Sequence, residues 1–264
     1  MAAPVALIQG ASRGLGLQFC RHILTHRPAA LVVATCRDPE AAAGLQGLAS
    51  DHQPGRLTVL QMDVTREEDV RACADRVTER FGRLDLLVNA AAVLHPSGRG
   101  ETSLRDVTAQ GVLSTLLTNS VGPLVVAKHL APLLQKGRGA FGRQPPEESK
   151  RHSGIIANIS AKVGSIGDNR LGGWYSYRMS KAALNMATRN LSIELSRRRP
   201  QVLCVSLHPG TVDTDLSRPY HRNVPREQLF SSERSVGQMM SILDALDAQS
   251  TGKAFNWDGT ELPW

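Results

Sequence analysis

Short, nearly uninterrupted apolar runs recur along this chain, at Val5 to Ile8, Ala30 to Thr35, Leu57 to Gln61, Leu86 to Val88, Ile155 to Ile159 and Val202 to Leu207. Runs of that length without polar alternation read as strands covered on both faces, as in a parallel sheet between helices. A last short strand is expected at Ala254 to Asn256. Between the runs the spacing turns helical. Val70, Ala74, Val77 and Phe81 form one stripe behind the acidic start Glu67 to Asp69, and acidic side chains favour that end of a helix. A long helix is expected over Gly111 to Leu134 with an interruption near Pro123, and another over Tyr175 to Arg197. The alternation predicts an α/β fold: a single-domain Rossmann fold, with a doubly wound, mostly parallel sheet, helices on both faces and right-handed crossovers. Gly137 to Ser153 breaks the rhythm with glycines, Pro145–Pro146 and a charged tail, and reads as an exposed loop insertion before the fifth strand.

Composition narrows the functional classes. With 264 residues, 41% of them apolar, the whole chain 1–264 suffices for one such domain, and no Pro/Gly-rich stretch divides it. The net charge of +7 attracts anions, a phosphorylated cofactor among them. The basic residues are scattered and aromatics make up only 4%, without a zinc-finger or RNP-like pattern, so no nucleic-acid partner is expected. Cys20, Cys36, Cys73 and Cys204 lie far apart and read as buried free thiols of a reducing compartment. The eight histidines show no metal-binding spacing, so no metal is expected. Met1 to Pro4 lacks a signal-like start, and no segment has the length of a membrane span. A cytoplasmic protein is the expectation, with an organelle matrix as the other compartment the same features allow.

The first strand runs into Gln9-Gly10-Ala11-Ser12-Arg13-Gly14-Leu15-Gly16 and then a helical stretch. Glycines there permit a tight turn and close backbone approach, and the helix start offers amide groups to a pyrophosphate. The spacing is GxxxGxG, not GxGxxG. The second strand ends in Cys36-Arg37, where NAD sites often carry a carboxylate. Arg37, with Arg13 from the first turn, suits a 2′-phosphate, so NADP(H) is the expected cofactor. Asp63-Val64 after the third strand is placed either to flank adenine or to cap the next helix, and Asn89-Ala90-Ala91-Ala92 after the fourth lets backbone pass close to a nucleotide.

Tyr177 and Lys181 are four apart on the helix that begins near Tyr175, and therefore share a face. An ammonium beside a phenol lowers the phenol's pKa, while desolvation raises it. A tuned tyrosine can hand a proton to a carbonyl oxygen or take one from an alcohol. Tyr175 has Met179 at the same offset and reads as a wall residue. After the sixth strand, His208-Pro209-Gly210-Thr211-Val212-Asp213-Thr214 is either a turn around a nicotinamide, with Thr214 as ligand, or a strand-ending turn with a cap.

Taken together, GASRGLG at Gly10 to Gly16, Asp63-Val64, Asn119-Ser120-Val121-Gly122, Tyr177-Arg178-Met179-Ser180-Lys181, Pro209-Gly210 and the ending Asp258 to Trp264 resemble the short-chain dehydrogenase/reductase family. The likeness is strongest to its C-factor and sniffer carbonyl-reductase-like branch. The resemblance implies NADP(H) binding and carbonyl/alcohol interconversion on a small-molecule substrate. It implies Tyr177 as acid/base, Lys181 on the nicotinamide ribose, Asn119 supporting a proton relay, Asn89 to Ala91 lining the adenosine side, and a homodimer or homotetramer built through the helices of Asn119 and Tyr177. Three departures stand out: Gln9 replaces a threonine, Asn89-Ala90-Ala91-Ala92 replaces NNAG, and Asn158-Ile159-Ser160-Ala161-Lys162-Val163-Gly164 puts Ala161 where the family has its catalytic serine. Ser160 points to the opposite face if strand geometry persists. The sequence therefore carries two functions: a carbonyl reductase whose substrate wall comes from Leu171 to Trp174 and Leu216 to Phe230, or a nucleotide-binding regulatory or scaffold protein with weak or no catalysis because of Ala161.

Overall fold

The computed structural model describes residues 3–148, 151–197 and 201–264. Its elements follow in chain order: β1 (Val5–Gln9), α1 (Gly14–His26), β2 (Leu31–Cys36), α2 (Ala43–Ser50), β3 (Leu57–Gln61), α3 (Glu67–Phe81), β4 (Leu86–Asn89), α4 (Ala109–Leu116), α5 (Gly122–Leu134) and β5 (His152–Ile159). Then come α6 (Tyr175–Ser196), β6 (Gln201–His208), β7 (Thr211–Val212), β8 (Leu229–Phe230), α7 (Ser232–Ala245), β9 (Ala254–Asn256) and β10 (Glu261–Leu262). Eight strands make one sheet in the order β10-β9-β6-β5-β4-β1-β2-β3, while β7 and β8 pair separately. All neighbours in the large sheet are parallel except β10 on β9. The order reverses direction between β1 and β4, which opens the crevice where such sheets bind ligands.

Period-two alternation within the apolar runs sorts side chains to two cores. Ala6, Ile8, Leu86, Val88, Ile155 and Ala157 face α1 and α7, packing with Phe19, Ile23, Met239 and Leu243. Val5, Leu7, Leu87 and Ile156 face the other way, onto Val70, Val77, Val126 and Leu130 of α3 and α5. The expected strands all form: β3 and β9 keep their expected bounds, β2 is shifted by one residue toward the C-terminus, and β1, β4, β5 and β6 are longer than expected.

The long helix expected over Gly111 to Leu134 is interrupted where a proline demands it. Pro123 has no N–H to give the carbonyl of Asn119, four residues back, and Leu117–Val121 forms a π turn in which the Gly122 N–H bonds to the Leu117 carbonyl instead.

The segment from Gly137 to Ser153 differs from the exposed loop expected of it. Phe141 is fully buried in the core on the α1 side, with the Arg27 guanidinium over its ring. Arg138 N–H bonds to Asp85, Gly139 N–H to the Ser153 carbonyl and Arg143 N–H to the Leu246 carbonyl. One aromatic ring and three backbone anchors are enough to dock a segment with no apolar period. Arg138, Arg143, Gln144, Pro146, Glu147, Glu148 and Arg151 stay exposed, and 149–150 lie outside the described residues. Two further helices, α2 and α7, went unexpected. The stripe of α7 at Val236, Met239, Met240 and Leu243 was available in the sequence.

Candidate active site

The turn after β1 accepts glycine for steric reasons. Gly10 has φ of +80°, and a Cβ there would come within 2.5 Å of the Ala91 nitrogen; one on Gly16 would collide with the Gly10 carbonyl. Gln9 does for this turn what a shorter polar residue does elsewhere: its side-chain oxygen accepts the Ala91 N–H at 3.0 Å, tying β1 to the turn after β4. Helix α1 starts at Gly14 with no side-chain cap and no acidic residue in its first turn, so its first amides face outward for an anion. By contrast α3 opens on Glu67, Glu68 and Asp69.

Around this cradle the expected ligand residues fall into different circumstances. Arg37 stands exposed just past β2. Arg13 is paired with Asp215 at 3.4 Å, and Asp215 also holds Arg218 at 2.7 Å. The methyl of Thr214 lies about over Gly14, 3.6 Å from where a Cβ would be, so the segment after β6 closes against the glycine turn. Asp63 accepts both the N–H and the hydroxyl of Thr65 in a turn ahead of α3, whose N-cap residue, Arg66, makes no side-chain capping bond. Val64 is buried against Gly122. Asn89 is buried and donates to Asn158 at 2.8 Å, Asn158 in turn to Thr188, in a polar ladder from β4 through β5 to α6. Pro209 accepts from Ser235, and Gly210, with φ of +78°, runs against Phe230 and Trp257.

At the start of α6, Tyr177 and Lys181 meet as their spacing requires. The Lys181 ammonium donates to the Ile159 carbonyl at 2.8 Å and lies 5.6 Å from the centre of the Tyr177 ring. Both are buried. Spacing alone left the sign of their pKa shifts open, and desolvation decides it: burial raises the phenol of Tyr177 and lowers Lys181 to about 7. A phenol that keeps its proton is a donor at neutral pH. Asn119, in the π turn, clamps a different target. Its amide accepts the Val93 N–H at 2.8 Å and donates to the Val93 carbonyl at 2.7 Å and to Ser180 at 3.0 Å. Ser180 donates to the Tyr177 carbonyl, so Asn119 joins the strand β4 exit to the Tyr177 turn.

Ala161, two residues past the end of β5, has an extended backbone and no hydroxyl to offer. Ser160 is buried and donates to Asn185. Ser165 is also buried, and its hydroxyl accepts the Asp168 N–H at 3.1 Å. The glycine before it packs directly on Lys181.

Sequence reasoning missed Glu101 and its surroundings. This buried carboxylate, contributed by the segment after β4, accepts the N–H of Ser176 at 3.2 Å and also its hydroxyl, and its backbone carbonyl accepts the Trp174 N–H at 2.6 Å. His95 Nε2 is 4.0 Å from it. A single glutamate in a loop carries no sequence signal for such a contact. Among the described residues no group of three or more His, Cys, Asp or Glu is placed to hold a metal ion, and no helix is long and apolar enough to cross a membrane.

Comparison with known proteins points the same way as the geometry. A family model described as short chain dehydrogenase matches residues 4–225. The NADPH-bound carbonyl reductase from chicken fatty liver superposes with a TM-score of 0.85 at 33% identity, covering 100% of both chains. Carbonyl reductase Sniffer of D. melanogaster gives 0.85 at 32% identity, again over 100% of both. The C-signal protein of Myxococcus xanthus is 36% identical over 184 residues, 69% of this chain and 94% of that protein.

Proposed function

The chain belongs to the short chain dehydrogenase family, and we propose that it is an NADP(H)-dependent oxidoreductase that interconverts carbonyl and alcohol groups on a small molecule, with Tyr177 as the acid/base. The observation that carries this reading is the buried pair of Tyr177 and Lys181, with the ammonium 5.6 Å from the phenol ring at the carboxyl edge of the sheet.

The residues present fit the cofactor. The glycine turn Gly10 to Gly16 and the uncapped start of α1 suit the pyrophosphate. Exposed Arg37 suits a 2′-phosphate directly, while Arg13 must leave Asp215 to join it, at the small cost of an exposed ion pair. Asp63 and Val64 would flank the adenine side with Asn89 to Ala91, Lys181 would hold the nicotinamide ribose, and Pro209 to Thr214 would border the nicotinamide. Two structural neighbours carrying NADPH or NADP support this choice over NAD. NADPH supplies the hydride when bound. In reduction Tyr177 gives its proton to the carbonyl oxygen, and in the reverse direction it accepts the alcohol proton. Asn119 positions that turn through Val93 and Ser180.

Leu113, Leu117, Val121 and Leu124 on one helical run and Met179, Met186 and Ile193 on α6 are exposed apolar residues at near-heptad spacing. They support a homodimer or homotetramer through these helices, measurable by light scattering and broken by Met186→Asp.

Purified protein is expected to oxidise NADPH with a dicarbonyl or a quinone, and Tyr177→Phe to lower turnover by about 100-fold or more. Turnover untouched by that substitution overturns the assignment. One observation favours a second reading, a nucleotide-binding regulatory or scaffold protein: Ala161 has no hydroxyl and Ser160 is bonded elsewhere. NADPH binding without turnover across a broad carbonyl screen selects that reading.

A further inference from the structure

Trp174 is the one non-glycine among the described residues with positive φ, at 52°, a conformation that bulky residues avoid. Such a backbone persists only where its surroundings over-determine it, which marks the position as one held for a purpose. Two separate loops do the holding. From the loop after β4, the Glu101 carbonyl accepts the Trp174 N–H, while the same residue's carboxylate grips Ser176 two positions on. Gly100 lies directly against the indole: a Cβ there would come within 2.7 Å of two of its ring atoms. From the segment between β7 and β8, Tyr220 packs on the indole at 4.6 Å between ring centres, and its hydroxyl accepts the Gly100 N–H at 2.8 Å. The indole then stands edge-on to the ring of Tyr177, 6.1 Å between centres and 74° between planes.

We infer that Trp174 is a specificity-determining residue: a fixed wall beside the Tyr177 phenol that limits the size of the carbonyl compound admitted. The inference rests on the reading of Tyr177 as the acid/base and adds to it the class of substrate, small carbonyls over bulky diaryl ones. The wall is rigid because each partner has little freedom. Gly100 offers no side chain to yield, Tyr220 is tethered through its hydroxyl, and Glu101 brackets the indole and the first turn of α6 together. A clamped aromatic ring cannot turn aside for a larger substrate, so exclusion is its expected effect. Discrimination by pocket size spans about 10- to 200-fold for small changes in substrate bulk.

The test compares wild type with Trp174→Gly and Gly100→Ala, using diacetyl as the small carbonyl and benzophenone as the bulky one. Glycine accepts the left-handed backbone, so Trp174→Gly removes the indole without straining the chain at that position. Unchanged NADPH affinity in each variant reports an intact nucleotide site. In Trp174→Gly the kcat/KM ratio of benzophenone to diacetyl is expected to rise about 10-fold or more. Gly100→Ala, which must displace the indole, is expected to shift the same ratio. A ratio that stays within about twofold of wild type, or falls, overturns the inference while leaving the Tyr177 assignment standing. Affinity of the two carbonyls for the protein with NADP⁺ bound, by calorimetry, reads the wall independently of turnover. Where neither compound is turned over, the benzophenone-to-diacetyl affinity ratio decides the wall: a rise in Trp174→Gly supports it, and an unchanged ratio overturns it.

Discussion

The Ser160 hydroxyl donates to Oδ1 of Asn185 at 2.7 Å, one turn of α6 beyond Lys181. That bond directs the serine just past β5 into the interior, and the neighbouring Ala161 has no hydroxyl to offer. The scaffold around Ala161 is otherwise complete: Tyr177, Lys181 and Ile159 are joined, and Asn119 braces the turn.

Ala161→Ser is expected to raise kcat by about 100- to 1,000-fold, the value of one well-placed donor to a developing oxyanion. Stopped-flow or steady-state oxidation of NADPH with diacetyl measures it. A variant no faster than the parent means that the hydroxyl is replaced from elsewhere, and Ser165→Ala is then expected to lower turnover.

Arg37→Asp puts a carboxylate where the NAD-type sites have one and removes the guanidinium. NADPH affinity is expected to fall about 10- to 100-fold, the worth of a charge-assisted pair, while NADH affinity holds or improves. Fluorescence titration with both nucleotides checks it. Equal losses for the two place the 2′-phosphate away from Arg37.

Stability is expected to rise as pH increases from about 7 toward the ordinary lysine range. Lys181 is lowered to about 7 by burial, so above that pH the folded chain has released a proton that the unfolded chain still holds. The slope has a ceiling of about 1.4 kcal/mol per pH unit over that window. It ends as pH approaches the ordinary lysine value, where the unfolded chain loses the proton too. Urea unfolding of the nucleotide-free protein across this range, with Lys181→Met as the control, isolates the contribution. A slope unchanged in Lys181→Met assigns it to another group.

Phe141→Ala is expected to destabilise the protein by about 3–5 kcal/mol, as removal of a fully buried aromatic does. A chain whose 137–148 segment merely drapes over the surface would lose a few tenths. Urea unfolding separates the two readily, and the loss is expected without change in NADPH affinity because Phe141 packs on the core away from the glycine turn.

Much of the site was legible because it lies in local patterns. Gly10, Gly14 and Gly16 after an apolar run, Arg37 at the next strand end, and the four-residue offset of Tyr177 and Lys181 each follow from short-range geometry. The pairs that determine how the site is held did not. Glu101 and Ser176 are 75 residues apart, and Trp174 meets Tyr220 across two loops. Gln9 read as a departure, yet its side chain reaches the Ala91 N–H and ties the two turns together. The resemblance offers Asn119 only as support for a proton relay, and it takes the fold to bring its amide onto Val93 and Ser180.

By itself the sequence determined the strands, most of the helices, the parallel sheet and the absence of a hydroxyl at Ala161, because apolar periodicity and glycine spacing act over a few residues. Tertiary structure decided where Ser160 points, which cation is free to meet a phosphate, the signs of the Tyr177 and Lys181 shifts, and the clamp on Trp174. Each of those depends on which loops meet above the sheet and how far they exclude water, and neither quantity leaves a periodic trace in the chain.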